Sequence, residues 1–161
     1  MFEVGDRILY PMHGAGVIEK IEEQKVLGQK QAYYIMNMQP EGMKVMIPVA
    51  TCKEIGVRFI ISKDEGQKVL EQFVKEPVVS DDNWNRRHRE NMAKIKSGDI
   101  FKVLGVVKNL MFRDRTKGLS TSERKMLGVS RRILVSELVL SGVADKSDIE
   151  SIMVDTVEGL I

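Results

Sequence analysis

The residues Asp81-Asp82-Asn83-Trp84-Asn85-Arg86-Arg87-His88-Arg89-Glu90 hold the chain's single tryptophan and, close behind it, three arginines. An indole offers a broad flat apolar face with one N–H donor. A guanidinium offers a planar fork that matches phosphate or carboxylate oxygens. Together they suit a polyanion with an apolar interior. The same residues would equally make a core anchor with a solvated charged face, and residue types alone leave both readings open.

Asp82 or Asn83 is a good N-cap, and an apolar-periodic run follows through Met92 and Ile95. Trp84 is therefore expected at the first helical position, with Arg86, Arg87 and Arg89 in the opening turns. Cations near a helix N-terminus are mildly unfavourable, by roughly 0.3–1 kcal/mol each when exposed. A phosphate docked on that terminus would reverse the sign.

Such a helix needs elements to hold it. Residues 1–60 read as strands. Arg7-Ile8-Leu9-Tyr10 ends at Pro11, and His13-Gly14-Ala15-Gly16 reads as a turn or bulge. Val17 to Glu22 is a strand, Leu27-Gly28-Gln29-Lys30 a hairpin turn, and Ala32 to Met38 a second strand rich in β-formers. Pro40-Glu41-Gly42 is a further turn, and Lys44 to Val49 alternates up to Pro48. Short strands with tight turns and no helix between them imply a small antiparallel barrel of the SH3 or Tudor type.

The period changes near Ser62. Ser62-Lys63-Asp64-Glu65 is a capping box, with Val69, Leu70, Phe73 and Val74 on one face and Pro77 as the stop. The Trp84 helix follows a linker and closes at Gly98. Asp99 caps a helix that buries Ile100, Val103, Leu104, Val107, Leu110 and Met111, and Gly118 ends it. Ser120 to Glu123 is a second capping box, before a helix with Met126, Leu127, Ile133, Leu134 and Leu138 inside that ends at Gly142. Asp145 or Ser147 starts a last helix through Ile149, Ile152, Met153 and Val157. The expected fold class is α+β in two domains, a Tudor/SH3-like barrel at 1–60 and an all-α bundle of about five helices at 61–161.

The net charge of +2 conceals segregation. Residues 1–61 are neutral, with 7 basic and 7 acidic side chains, and residues 62–83 carry net −3. Residues 84–132 hold 14 Lys/Arg against 4 Asp/Glu, net +10, and residues 133–161 carry net −5. The basic block begins at Trp84 and is an electrostatic footprint suited to nucleic acid.

No apolar run is long enough to cross a membrane, and the N-terminus lacks a signal-peptide pattern. One cysteine, Cys52, excludes an intramolecular disulfide and, with 10 methionines, fits a reducing cytosol. The chain has no CxxC, HExxH, GxGxxG, GxxxxGK[ST] or GxSxG pattern, and its carboxylates lie at caps and on polar faces. The expectation is a non-enzymatic, cytoplasmic monomer with no cofactor, no metal and no small-molecule substrate.

Phe2-x-Val4-Gly5-Asp6 and Tyr10-Pro11-x-His13-Gly14-x-Gly16 resemble the opening of the bacterial CarD/CdnL transcription regulators. This module is similar to the polymerase-interacting domain of transcription-repair coupling factor. The helical half carries the CarD likeness alone, in Asn83-Trp84-x-Arg86-Arg87, Ser97-Gly98-Asp99, Gly118-Leu119-Ser120, Met126-Leu127 and Arg132-Ile133-Leu134-Val135-x-Glu137-Leu138. The resemblance implies a Tudor-like domain that holds the β subunit of RNA polymerase. It also implies a helical domain at promoter DNA, at the upstream edge of the bubble. Trp84 would wedge into the minor groove there and stabilise the open complex.

Carried over by position, the DNA-binding set is Trp84, Arg86, Arg87, Arg89 and Arg124. The positions aligned with the family's polymerase-binding arginines are Gln24 and Met46, with Lys25 and Lys44 beside them as substitutes that strand alternation would turn to the other face. An edge strand pairing by backbone would tolerate these changes. His13 and Gly14 are expected to shape the barrel turn. The rival readings are a protein-interaction adaptor with Trp84 buried, and an RNA-binding module.

Overall fold

The structure, a computed structural model, describes residues 1–38 and 41–161. Strands β1 (Arg7–Tyr10), β2 (Gly14–Val26), β3 (Gln29–Met38) and β4 (Lys44–Pro48) come first, then a one-turn helix α1 (Cys52–Ile55) and the two-residue β5 (Arg58–Phe59). They form one five-stranded antiparallel sheet in the order β4-β3-β2-β1-β5, the small Tudor-like barrel expected from the strand pattern. Sequence periodicity missed α1 and β5, because four and two residues are too few to show a period.

Local chemistry explains the turns. Val26 pairs with Gln29, so Leu27-Gly28 is a two-residue hairpin loop, with φ values of 51° and 80°. Positive φ at both positions is the type I′ geometry that matches strand twist. Of the His13-Gly14-Ala15-Gly16 stretch, His13 ends the turn and the other three residues are already strand. The β1–β2 loop lies at 11–13, and Gly14 already pairs with Tyr10. Gly16 is there for close approach, since a Cβ would stand 2.4 Å from the Asn37 carbonyl oxygen of β3. Of the turn expected at Pro40-Glu41-Gly42, Pro40 lies outside the described residues, and the Gly42 N–H donates to the Met38 carbonyl at 2.8 Å.

Five helices follow: α2 (Lys63–Lys75), α3 (Trp84–Lys96), α4 (Ile100–Thr116), α5 (Thr121–Ser141) and α6 (Lys146–Glu158). Their starts fall where the caps place them. Ser62 and Ser120 open capping boxes with Glu65 and Glu123, while Asn83, Asp99 and Asp145 cap with single side chains. The α2 face differs in one residue. Val74 is 54% exposed, and Gly66 completes the buried stripe with Val69, Leu70 and Phe73.

Two hydrophobic clusters result. One fills the barrel around Ile8, Ile18, Tyr34, Met36 and Ile47. The other fills the helical bundle around Phe73, Leu104, Val107, Leu134 and Met153, and it also takes in Leu9 and Ala15 from the first two strands. The barrel is thus packed onto α5. Polar contacts fix the seam. Arg58 grips Glu137 with both terminal nitrogens, at 2.6 and 2.9 Å, and Glu137 is fully buried. The same carboxylate accepts from the Ile61 N–H at 3.0 Å, and Arg58 also donates to the Gly98 carbonyl just past α3. The Ala15 N–H donates to Ser136 Oγ, and the His13 carbonyl accepts from Arg132. His13 and Gly14 therefore sit at this seam as well as shaping the hairpin.

Among the described residues no helix is long and apolar enough to cross a membrane, and no cluster of His, Cys, Asp or Glu could hold a metal.

Candidate nucleic-acid interface

Asn83 caps α3 by accepting from the Arg86 N–H at 2.9 Å, which sets Trp84 at the first helical position. The ring is 41% exposed and belongs to neither hydrophobic cluster. Two contacts hold it. It stacks on His88, one turn along, with centroids 5.0 Å apart and planes 15° apart. Its Nε1–H donates to Ser120 Oγ at 3.3 Å, at the cap of α5. The indole is oriented by polar neighbours and stays partly open to solvent.

The arginines separate into different environments. Arg87 is largely buried, its side chain 12% exposed, and it grips Glu123 in a two-point ion pair at 2.7 and 3.1 Å. Its remaining terminal nitrogen donates to the Asp81 carbonyl. Three of its N–H groups go to protein acceptors, so in this structure Arg87 acts as a support for α3 and presents little surface to a phosphate. The hydrogen bond from Arg87 holds the Glu123 carboxyl below the usual carboxylate range and raises the arginine in turn.

Arg86 remains 54% exposed but is forked onto Asp81 at 2.7 and 2.9 Å. Hydrogen bonding from Arg86, and then from the Asn83 backbone, takes Asp81 down to about 2. Asp82 meets Lys117 at 2.8 Å and Arg113 at 3.7 Å. The anions that the cationic opening turn of α3 calls for are thus supplied within the protein, by Asp81, Asp82 and Glu123, before any phosphate arrives. Arg89 is exposed and makes no ion pair among the described residues. Arg124 is 61% exposed and stands one turn along α5 from Ser120, with a 3.2 Å contact to Asp114.

The basic block of the sequence shrinks accordingly. Lys108 is buried, its ammonium donating to the Phe73 and Val74 carbonyls at the end of α2, and burial pushes its pKa down. Arg115 pairs with Glu158. Arg89, Lys94, Lys96, Lys102 and Lys125 stay exposed.

At the barrel, β3–β4 pairing puts Met46 opposite Ile35 and Lys44 opposite Asn37. β2–β3 pairing puts Gln24 opposite Gln31 and Lys25 opposite Lys30. Gln24 Nε2 reaches Met46 Sδ at 3.9 Å, so these two share the outer face of the sheet. Lys44 lies two residues from Met46 and shares that face too, against the expectation that alternation would turn it away, because a strand repeats every two residues. It meets Glu19 at 3.3 Å, and the Glu19 carboxyl is held low first by a hydrogen bond from Asn37. Lys25 does point to the opposite face. β4 is an edge strand, paired only with β3 among the described residues.

The seam and the Glu123 clasp were not read from the sequence. Glu137 carried a weak signal, as a lone acid in the apolar run Ile133 to Leu140.

Comparison with known proteins agrees with this architecture. The family described as CarD-like/TRCF RID domain matches residues 2–61, and that described as CarD, C-terminal domain, matches residues 68–154. The chain belongs to the CarD-like transcription factor family and is a transcription regulator. The putative transcription factor YdeB of Bacillus subtilis (strain 168) is 38% identical over 147 residues, 91% of this chain and 96% of that protein. The solution structure of the N-terminal domain of Myxococcus xanthus CarD is 36% identical where it aligns. It covers 37% of this chain and 79% of that domain, with a TM-score of 0.33.

Proposed function

We propose that this protein holds RNA polymerase through its N-terminal barrel and stabilises the melted promoter by setting Trp84 against a base step. One observation carries the reading: the indole stands outside both cores, on a residue 41% exposed, in a helix whose opening turn is pinned by the Arg87–Glu123 clasp. An apolar ring at such a site can enter a partly unstacked minor-groove step, where unstacking costs a few kcal/mol. DNA that is already opening offers the step more cheaply, and a ligand shifts an equilibrium only by its differential affinity for the two states. Arg89 and Arg124 supply phosphate contacts, and Arg86 joins them by exchanging Asp81 for a phosphate oxygen.

The edge strand β4, with Lys44 and Met46 on the outer face of the sheet and Gln24 of β2 reaching Met46 there, is the proposed polymerase contact. An edge offers unpaired backbone groups to an added strand, so side-chain identity matters less. Holding polymerase raises the local concentration of DNA, so intrinsic DNA affinity need not be high. The division of labour follows a boundary at residues 60 and 61.

Trp84→Ala tests the reading. The open-complex lifetime should fall about tenfold, the equivalent of ~1.4 kcal/mol, while pull-down by a polymerase β-subunit fragment and the circular dichroism spectrum stay unchanged. Loss of polymerase binding together with the lifetime would assign Trp84 to folding. An unchanged lifetime would end the wedge reading and favour an adaptor.

A further inference from the structure

A cavity of about 440 Å³ opens between the end of α2, the segment 77–81, α3 and α4. Its volume lies within the roughly 300–1,000 Å³ of small-molecule sites. Three features of its wall go unexplained by the fold or by the proposed DNA contact.

Gly105 lies in the middle of α4, where glycine is the weakest helix former short of proline. Packing does not require it. A Cβ there would meet nothing nearer than Glu76 Oε1 at 3.6 Å, an ordinary contact with the end of a flexible side chain. Its effect is to keep the cavity deep. Arg113 lines the cavity, its side chain 20% exposed and its guanidinium only loosely paired. Its nearest anion, Asp82, reaches only Nη1, at 3.7 Å, and is shared with Lys117. Thirdly, Lys94 and Lys102 stand exposed at the cavity and make no ion pair among the described residues.

Pro77, Val79, Phe101 and Leu110 supply apolar wall. Glu76 and Glu90 line it as well, which disfavours a multiply charged anion and leaves room for a single charge. Glu76 is already engaged by Gln72 at 2.7 Å.

We propose that this cavity binds a small organic monoanion, a flat apolar body bearing one acid group, with the acid on Arg113 and the body over Gly105. The site is separate from the Trp84 ring, although Asp81 and Arg87 of the α3 support reach its wall.

The test uses the full chain and two dyes with the same ring body, anilinonaphthalene sulfonate and neutral phenylnaphthylamine. Fluorescence titration should give saturable one-site binding of the sulfonate, and amide NMR shifts should gather on segment 77–81 and α4. Arg113→Met should weaken the sulfonate about tenfold, as expected for loss of a charged hydrogen bond, and leave the neutral dye unaffected. Gly105→Leu should abolish both while the thermal transition is kept. Sulfonate binding that ignores both substitutions, or shifts that gather elsewhere, overturns the proposal. Equal losses of the two dyes in Arg113→Met would overturn the assignment of the acid group. If Gly105→Leu does not fold, the Arg113→Met ratio and the shift map decide the matter.

Discussion

Helix α5 carries two buried glutamates, Glu123 at its start and Glu137 near its end, and each takes an arginine in a two-point grip. The 14 intervening steps are close to four helical turns, so both project from one side of the helix. Glu123 receives Arg87 from 36 positions away and locks the Trp84 helix to α5. Glu137 receives Arg58 from 79 positions away and locks the barrel to α5. One helix thus ties the proposed polymerase module to the proposed DNA tip. The clasps differ in what backs them. Glu123 is also a capping residue with Ser120, so part of its burial is compensated locally. Glu137 depends on Arg58 across the seam and on the Ile61 N–H at the start of the helical part. A functional tip with little apolar packing can be held rigid by buried charge. The same chemistry, placed at the seam, sets the tip's reach from the barrel.

The contrast is sharpest when a clasp loses one partner. Glu137→Leu leaves Arg58 without its buried partner and should destabilise by about 3–5 kcal/mol in denaturant unfolding. Arg58→Met together with Glu137→Leu should recover most of that, since removing both charges spares the uncompensated one. Failure of the double variant to recover would mean the seam depends on Arg58 gripping Gly98 more than on the ion pair.

The smaller clasp should respond less in stability and more at the tip. Glu123→Gln should lower stability by about 1.5–3 kcal/mol. It should also increase iodide quenching of Trp84, which Glu137→Leu should change little below its transition. Equal quenching in both variants would show that the two ends of α5 move together.

Acid tests the support of α3 by the weakest effect. Asp81 and Glu123 have folded values below their ordinary 3.8 and 4.5. A group depressed in the folded state stabilises above its unfolded value and loses that contribution as pH falls toward the folded one. Support of the α3 opening turn is therefore full above pH 4.5 and declines toward the Asp81 value of about 2. Trp84 fluorescence should change across that window before the far-ultraviolet signal of the barrel does. Simultaneous change would place the acid-sensitive groups elsewhere.

Capping chemistry and hydrophobic period were enough to set the helices and place Trp84 at the tip of α3, because Asn83, Ser62 and Ser120 act within three residues of themselves. Strand alternation likewise marked β1 to β4. Neither could decide which of Arg86, Arg87 and Arg89 remains free. Adjacent arginines look alike along the chain, and only the arrival of Glu123 from α5 and Asp81 from the linker removes one and half-engages another. The charge count overstated the basic surface for the same reason, since burial of Lys108 and pairing of Arg115 are long-range events. The seam through Arg58, Glu137 and Gly98 belongs wholly to the tertiary structure. A buried ion pair is specified by where two distant segments meet, and nothing in the short-range pattern of either segment names the other.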